Sequence, residues 1–290
     1  MSTAIDVVEG YEPIELTKRF AVDGVELAWD RWGPDDGTAL VLGHGFSGSV
    51  QDFALEIRVL ADSRPVLAFD RRGHGYGSHA ADAAGYTIER LVADEIAFLE
   101  AQGGGPVDLL GHSMGGRIAV QVAVDRPDLL RSLILMDTSA WSFRSTDPEI
   151  AAMLSAFFET YDPARGLPNM DAMRGPEDDL IDERVPKDLV DRRDAMFQRF
   201  DPVALRELGW QLFGEVAPSM RPRLGEIACP VTVVVGSEDH PLVDQAPELA
   251  AEVGDGRLIV IDGAYHSPQL THPVEWLAAI EAHLARAAIR

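Results

Sequence analysis

The sequence predicts an α/β fold: a mostly parallel, twisted sheet flanked by helices and carrying a helical insertion. Three observations lead there. Short, nearly continuous apolar runs recur at 39–42, 66–69, 107–110, 133–136, 231–235 and 258–261, and helix-length segments separate most of them. Runs of that kind are strands buried on both faces, which is the condition of a parallel sheet covered by helices. The run at 107–110 leads straight into Gly111-His112-Ser113-Met114-Gly115, a serine between two glycines at a strand-to-helix corner. From Thr138 to Ala228 the alternation stops, and only helical patterns are found.

Taken in order, the first unit is a hairpin of 15–22 and 25–32 around Asp23-Gly24, a pair that tolerates the positive backbone angles of a tight turn. It forms the antiparallel leading edge. Helices are expected at 50–61, 87–102 and 114–125, the last with Ile118, Ala119 and Val122 spaced to pack on the sheet. In the long interval the helical stretches are 149–161, 187–199 and 203–213, punctuated by Pro163, Pro168, Pro176, Pro186, Pro202, Pro218 and Pro222. Residues 1–138 and 225–290 are thus expected to form one core, and 139–224 a helical cap over the carboxyl ends of the strands, where ligands sit in open α/β sheets.

Composition narrows the function classes. The 290 residues are 46% apolar, enough to fill one large domain, and 48 acids against 25 bases give a net charge of −23. Such a field repels phosphate backbones and anionic lipid head groups, which argues against nucleic-acid and membrane-surface partners. The single cysteine, Cys229, precedes a strand and reads as a small buried hydrophobe. The stretch from Met1 to Glu15 is acidic and has neither a basic start nor an apolar h-region, and no apolar run is long enough to span a bilayer, so a soluble, cytoplasmic protein is expected.

A serine hydroxyl is a weak nucleophile at neutral pH. It needs a base to take its proton, and the base needs an acid to fix its tautomer. The strand at 231–235 ends in Gly236-Ser237-Glu238-Asp239, and the strand at 258–261 is followed by Asp262-Gly263-Ala264-Tyr265-His266. Asp239 and His266 therefore emerge at the same sheet edge as Ser113, in the chain order Ser, Asp, His. Glycines at 111 and 115 leave room for strand and helix to close around the serine, and the helix start presents free N–H groups suited to an oxyanion. Competing histidines have simpler roles: His44 and His74 sit in glycine-rich loops as turn anchors, His112 flanks the serine, His240 adjoins Asp239 and could line a pocket, and His79, His272 and His283 are peripheral. Asp137, at the end of the strand at 133–136, is an alternative acid whose simpler role is to cap the turn into the insertion; Glu238 and Asp244 are nearer rivals. Neither a metal-ligand spacing nor a G-x-G-x-x-G after a strand occurs, so no metal and no dinucleotide is indicated.

With His44-Gly45-Phe46, Asp70-Arg71-Arg72-Gly73-His74-Gly75, the elbow at 111–116, Gly236-Ser237-Glu238-Asp239 and Gly263-Ala264-Tyr265-His266 in this order, the sequence resembles the α/β-hydrolase superfamily over nearly its whole length. The resemblance implies Ser113 as nucleophile, His266 as general base and Asp239 as its orienting acid. It also implies an oxyanion hole of the Phe46 and Met114 N–H groups, and no cofactor. The expected activity is hydrolysis of a small to medium carboxylic ester or lactone. Ser113 argues against the aspartate-dependent dehalogenases and epoxide hydrolases. Carbon–carbon bond hydrolases, cofactor-free perhydrolases, enol-lactonases and thioesterases share the triad and stay open, as does a ligand receptor built on the same fold. Trp141, Phe143, Met153, Phe157, Phe158, Met196, Phe197, Trp210 and Phe213 suggest an apolar acyl pocket under the cap, or a cap fastened to the core by its aromatics. The motifs assign neither a natural substrate nor an oligomeric state.

Overall fold

Eight strands form one sheet in the order β1-β2-β4-β3-β5-β6-β7-β8 in the computed structural model, which describes residues 11–169, 174–214 and 216–289. The first ten positions of the N-terminal reading, and 170–173 and 215 of the insertion, lie outside the described residues. The strands are β1 (Lys18–Val22), β2 (Val25–Trp32), β3 (Leu40–Gly43), β4 (Val66–Asp70), β5 (Val107–His112), β6 (Leu130–Met136), β7 (Val231–Gly236) and β8 (Gly256–Ile261). The hairpin β1–β2 and the β2–β4 pair are antiparallel, and every other pair is parallel. Every residue of β3, β4, β5 and β7 is buried, which is why these strands read as unbroken apolar runs.

Two cores lie on the two faces. One packs α2 (Ile88–Gln102), α3 (Met114–Asp125) and α8 (Leu242–Glu252) through side chains such as Phe98, Ile118 and Leu249. The other packs α1 (Ile57–Ala61) and α10 (Pro273–Ala287), with Trp276 and Ile280 fully buried. Between β6 and β7 run α4 (Pro148–Thr160), α5 (Pro176–Arg184), α6 (Lys187–Phe197) and α7 (Pro202–Phe213), with no strand among the described residues of that interval.

Two departures from expectation have local causes. The segment 50–61 is not one helix: a 3-10 turn, Val50–Phe53, precedes α1. Ser49 and Asp52 cap each other's backbone there in a closed box, and all four residues of the turn are buried. Helix α5 was not anticipated. Its sequence, PEDDLIDER, buries only Ile181 and so shows no apolar stripe, although Pro176 followed by three acids is the start signal of a helix.

The Asp70–Gly75 loop is a buried brace. Arg72 grips Asp94 with two hydrogen bonds of 2.6 Å, and Arg71 reaches Glu95 at 2.7 Å. Cys229 is partly buried, and burial pushes its thiol up to about 11. Among the described residues no helix is long and apolar enough to cross a membrane.

Candidate functional site

The turn between β5 and α3 holds Ser113 at φ 53°, ψ −119°, a left-handed conformation that costs a non-glycine residue on the order of 1–3 kcal/mol. It is held there by its neighbours: the Ser113 N–H donates to the Met136 carbonyl at 2.9 Å, and its carbonyl accepts from the Thr138 hydroxyl at 2.6 Å. The flanking glycines are required by crowding. A Cβ on Gly111 would stand 2.4 Å from the Gly115 carbonyl oxygen, and one on Gly115 would stand 2.5 Å from that of Gly43. Met114 opens α3, so its N–H belongs to the first turn, which has no acceptor within the helix.

His266 lies in the loop after β8, and its Nδ1 is 2.9 Å from Asp239 Oδ2 in the loop after β7. With Nδ1 engaged by the carboxylate, Nε2 is the ring nitrogen left to work. Burial opposes charge on this ring, but Asp239, then Glu177 and Asp52, outweigh it and move its pKa up to about 9. His112 is the ring's neighbour, with centroids 4.8 Å apart, and its Nε2–H donates to the His266 carbonyl at 2.8 Å. Burial, with the nearby His266 charge, drives His112 down to about 4, so it is a neutral support.

Asp137 is the second carboxylate at this edge, but it does not hold the histidine. It is fully buried at φ 43°, and its Oδ1 accepts the Gly236 N–H at 2.9 Å. Burial and then the adjacent Asp239 raise its pKa far above the carboxylate range, so it is a neutral acid. Burial also opposes charge on Asp239, but His266 and a hydrogen bond from Asp137 keep it ionised below its ordinary value. Asp137, Asp239 and His266 bring three ligand-type atoms within 4.8 Å of one another. Two of these groups already bond each other, His266 Nδ1 to Asp239 Oδ2, and Asp137 Oδ1 is taken by the Gly236 N–H. The other rivals are accounted for: Asp244 pairs with the exposed His240 at 2.8 Å, and Glu238 accepts from the Ser237 hydroxyl.

The glycine-loop histidines are the turn anchors expected. His44 Nε2 accepts the Arg71 N–H at 3.1 Å, so Nδ1 carries the proton and donates to the Gly45 carbonyl at 2.9 Å. His74 Nδ1 lies 2.9 Å from the Arg72 carbonyl. His44 thereby ties the loop that presents Phe46 to the Asp70–Gly75 loop.

Phe46, Ser113 and His266 open on one cavity of about 300 Å³. Its remaining wall is mostly polar side chains, and this corrects the expectation of an apolar acyl pocket. Asp178 of α5, with Arg193 and Asp194 of α6, lines it alongside Asp52, and Arg193 Nε bonds Asp52 Oδ1 at 2.8 Å. Of the nine apolar residues expected to shape the pocket, only Phe197 lines it. Phe158 and Phe213 fasten the insertion instead: they stack on each other at 5.4 Å, and both meet the Phe46 ring edge-on at about 6 Å. Met153 points to solvent, 60% exposed, and Trp141 stacks under the Arg221 guanidinium. His240 does not line the cavity. For Asp52, Glu177 and Asp178 the sequence carries only a local signal, the capping box at Ser49 and the acid-rich helix start after Pro176, and for Arg193 and Asp194 it carries none.

Comparison with known proteins agrees with this architecture. A model of the Alpha/beta hydrolase family matches residues 40–280. The dihydrolipoyllysine-residue acetyltransferase component of an acetoin cleaving system from Cupriavidus necator is 29% identical over 95% of this chain and 71% of its own length. Among solved structures, an enol-lactonase from Burkholderia xenovorans superposes with TM-score 0.74 at 24% identity, covering 94% of this chain and 100% of that one. A thermophilic esterase from Thermogutta terrifontis superposes with TM-score 0.72 at 23% identity, covering 93% and 99%.

Proposed function

The chain belongs to the alpha/beta hydrolase family, and from that premise we propose that it is a serine hydrolase cleaving a small to medium carboxylic ester or lactone through an acyl-enzyme on Ser113. The observation that carries this reading is the His266 Nδ1 to Asp239 bond, which leaves the other nitrogen, Nε2, for the serine proton on a ring that lines the same cavity as Ser113. His266 Nε2 takes the Ser113 proton as Oγ attacks the carbonyl carbon. The oxyanion is held by the Met114 and Phe46 N–H groups, and each such donor is worth about 10²–10³ in turnover. Collapse breaks the bond to the alkoxide, which leaves with the proton from His266. Water then repeats the sequence on the acyl-enzyme and releases the acid.

The volume and polarity of the cavity favour short or polar acyl groups, since about 300 Å³ is the lower end of the range for ligand sites. The fold neighbours named as an enol-lactonase and an esterase act in the same class of carbonyl chemistry, which supports the choice of ester or lactone. The test is hydrolysis of p-nitrophenyl esters from acetate to octanoate by wild type and Ser113→Ala, with mass spectrometry after a fluorophosphonate probe. Expected are activity falling with chain length, its loss in Ser113→Ala, and probe mass on the Ser113 peptide. A wild type no faster than Ser113→Ala on every ester, with no probe adduct, defeats the proposal.

A further inference from the structure

The segment after His266 is gripped at both ends by the inserted helix α5. Helix α9 (Pro268–Thr271) follows the histidine directly, and its N-cap residue, Ser267, makes no side-chain cap of its own. Glu177 holds the N-cap residue from outside: the Ser267 N–H donates to its Oε1 at 2.5 Å. At the far end Arg184 Nη1 donates to the Thr271 carbonyl at 2.9 Å and stands 3.2 Å from His272 Nε2. The two grips are two turns apart on α5, about 10 Å, so one face of one helix spans the whole segment. Their signs suit it, with an anion at the N-terminal end of the short helix and a cation at its carbonyl end.

We propose that α5 is the positioning element of the general base, with Glu177 a positioning residue that fixes the His266 segment and sets a second carboxylate charge beside the imidazole. The proposal rests on His266 being the base of the reaction proposed above. The groups facing His266 are Asp239 after β7, the neutral Asp137 at the end of β6, His112 at the end of β5, Asp52 in the 3-10 turn and Glu177 from α5, with Asp178 of α5 and Arg193 and Asp194 of α6 on the wall of the cavity it opens on. Of the three carboxylates that act most strongly on the ring, Asp239, Glu177 and Asp52, Glu177 is the one that comes from the insertion. Its neighbour Asp178 lines the cavity, so what fills the cavity and what holds the base share one turn of helix.

The experiment is an NMR titration of the His266 ring in isotope-labelled protein, alongside kcat and KM on the ester that wild type cleaves best. Glu177→Gln keeps an acceptor for the Ser267 N–H but removes the charge. The His266 midpoint is expected to fall by roughly one unit, with kcat at saturating pH within about threefold of wild type. Glu177→Ala loses both, and kcat is expected to fall about tenfold with KM little changed. Arg184→Met loosens only the far end. It is expected to lower kcat without moving the titration, and it serves where Glu177→Ala does not fold. A Glu177→Gln midpoint equal to wild type overturns the charge role, and wild-type kcat in both Glu177→Ala and Arg184→Met overturns the positioning role. The titration needs no turnover, so it decides this point even where the ester panel shows no activity and the reaction itself is refuted.

Discussion

The inserted helices divide into two unlike pairs. Helices α4 and α7 are aromatic, and Phe158 and Phe213 stack together against Phe46. Helices α5 and α6 are charged, and they supply Asp178, Arg193 and Asp194 to the cavity wall and Glu177 and Arg184 to the histidine segment. In the first pair aromatic rings do the fastening, and in the second the cavity is faced mainly by charged residues, with Phe197 beside them. The difference teaches that an aromatic-rich insertion over an active site is not evidence of an apolar pocket. Rings large enough to bury well are drawn to the seam between insertion and core, leaving the cavity to side chains that tolerate water.

The comparison can be broken first at the site that both pairs serve. Asp239→Asn preserves shape but permits the wrong imidazole tautomer, and kcat is expected to fall by about 10⁴ with the fold intact by circular dichroism. A small loss would mean that the charged pair faces something other than the reacting centre. Phe158→Ala strikes the fastening pair. Phe158 is 5% exposed, so thermal unfolding is expected to show a loss of about 3–5 kcal/mol, while the pH dependence of the surviving activity stays where it was.

The pH profile comes next in size. His266 must be neutral to accept the serine proton, and its pKa is raised, so activity is lost as pH falls through its midpoint. In the free enzyme kcat/KM is expected to climb until about pH 9 instead of levelling near the ordinary histidine value of 6.5. A profile flat above pH 7 would show that the acidic surroundings do not act on the ring. The smallest effect is expected of Asp194→Asn. It should raise KM for an amine-bearing ester less than about tenfold, leave a neutral ester unaffected and hardly change the melting temperature, because an exposed carboxylate attracts a cation by at most about 1 kcal/mol.

How much of this was legible in the sequence follows from how each part is encoded. Strands β3 to β7 could be read because burial on both faces writes itself as an apolar run. Ser113, Asp239 and His266 could be placed because each follows a strand end, and the elbow glycines are forced by backbone contacts under 3 Å. Helix α5 escaped because a helix burying one side chain carries no periodicity, and Asp52–Arg193 escaped because a contact across 141 residues leaves no local trace. Asp137 was weighed as an alternative acid or a turn cap. Its state as a neutral acid behind Asp239 depends on burial that no residue pattern expresses.

The acidic cavity wall has a last consequence, for the end of the proposed catalytic cycle. Hydrolysis turns an uncharged ester into a carboxylate, and the new anion shares the cavity with three carboxyls, Asp52, Asp178 and Asp194, against the single guanidinium of Arg193, on a chain whose net charge is −23. The same field that tolerates a neutral or cationic substrate drives the product outward, so accumulated acid competes poorly for the site.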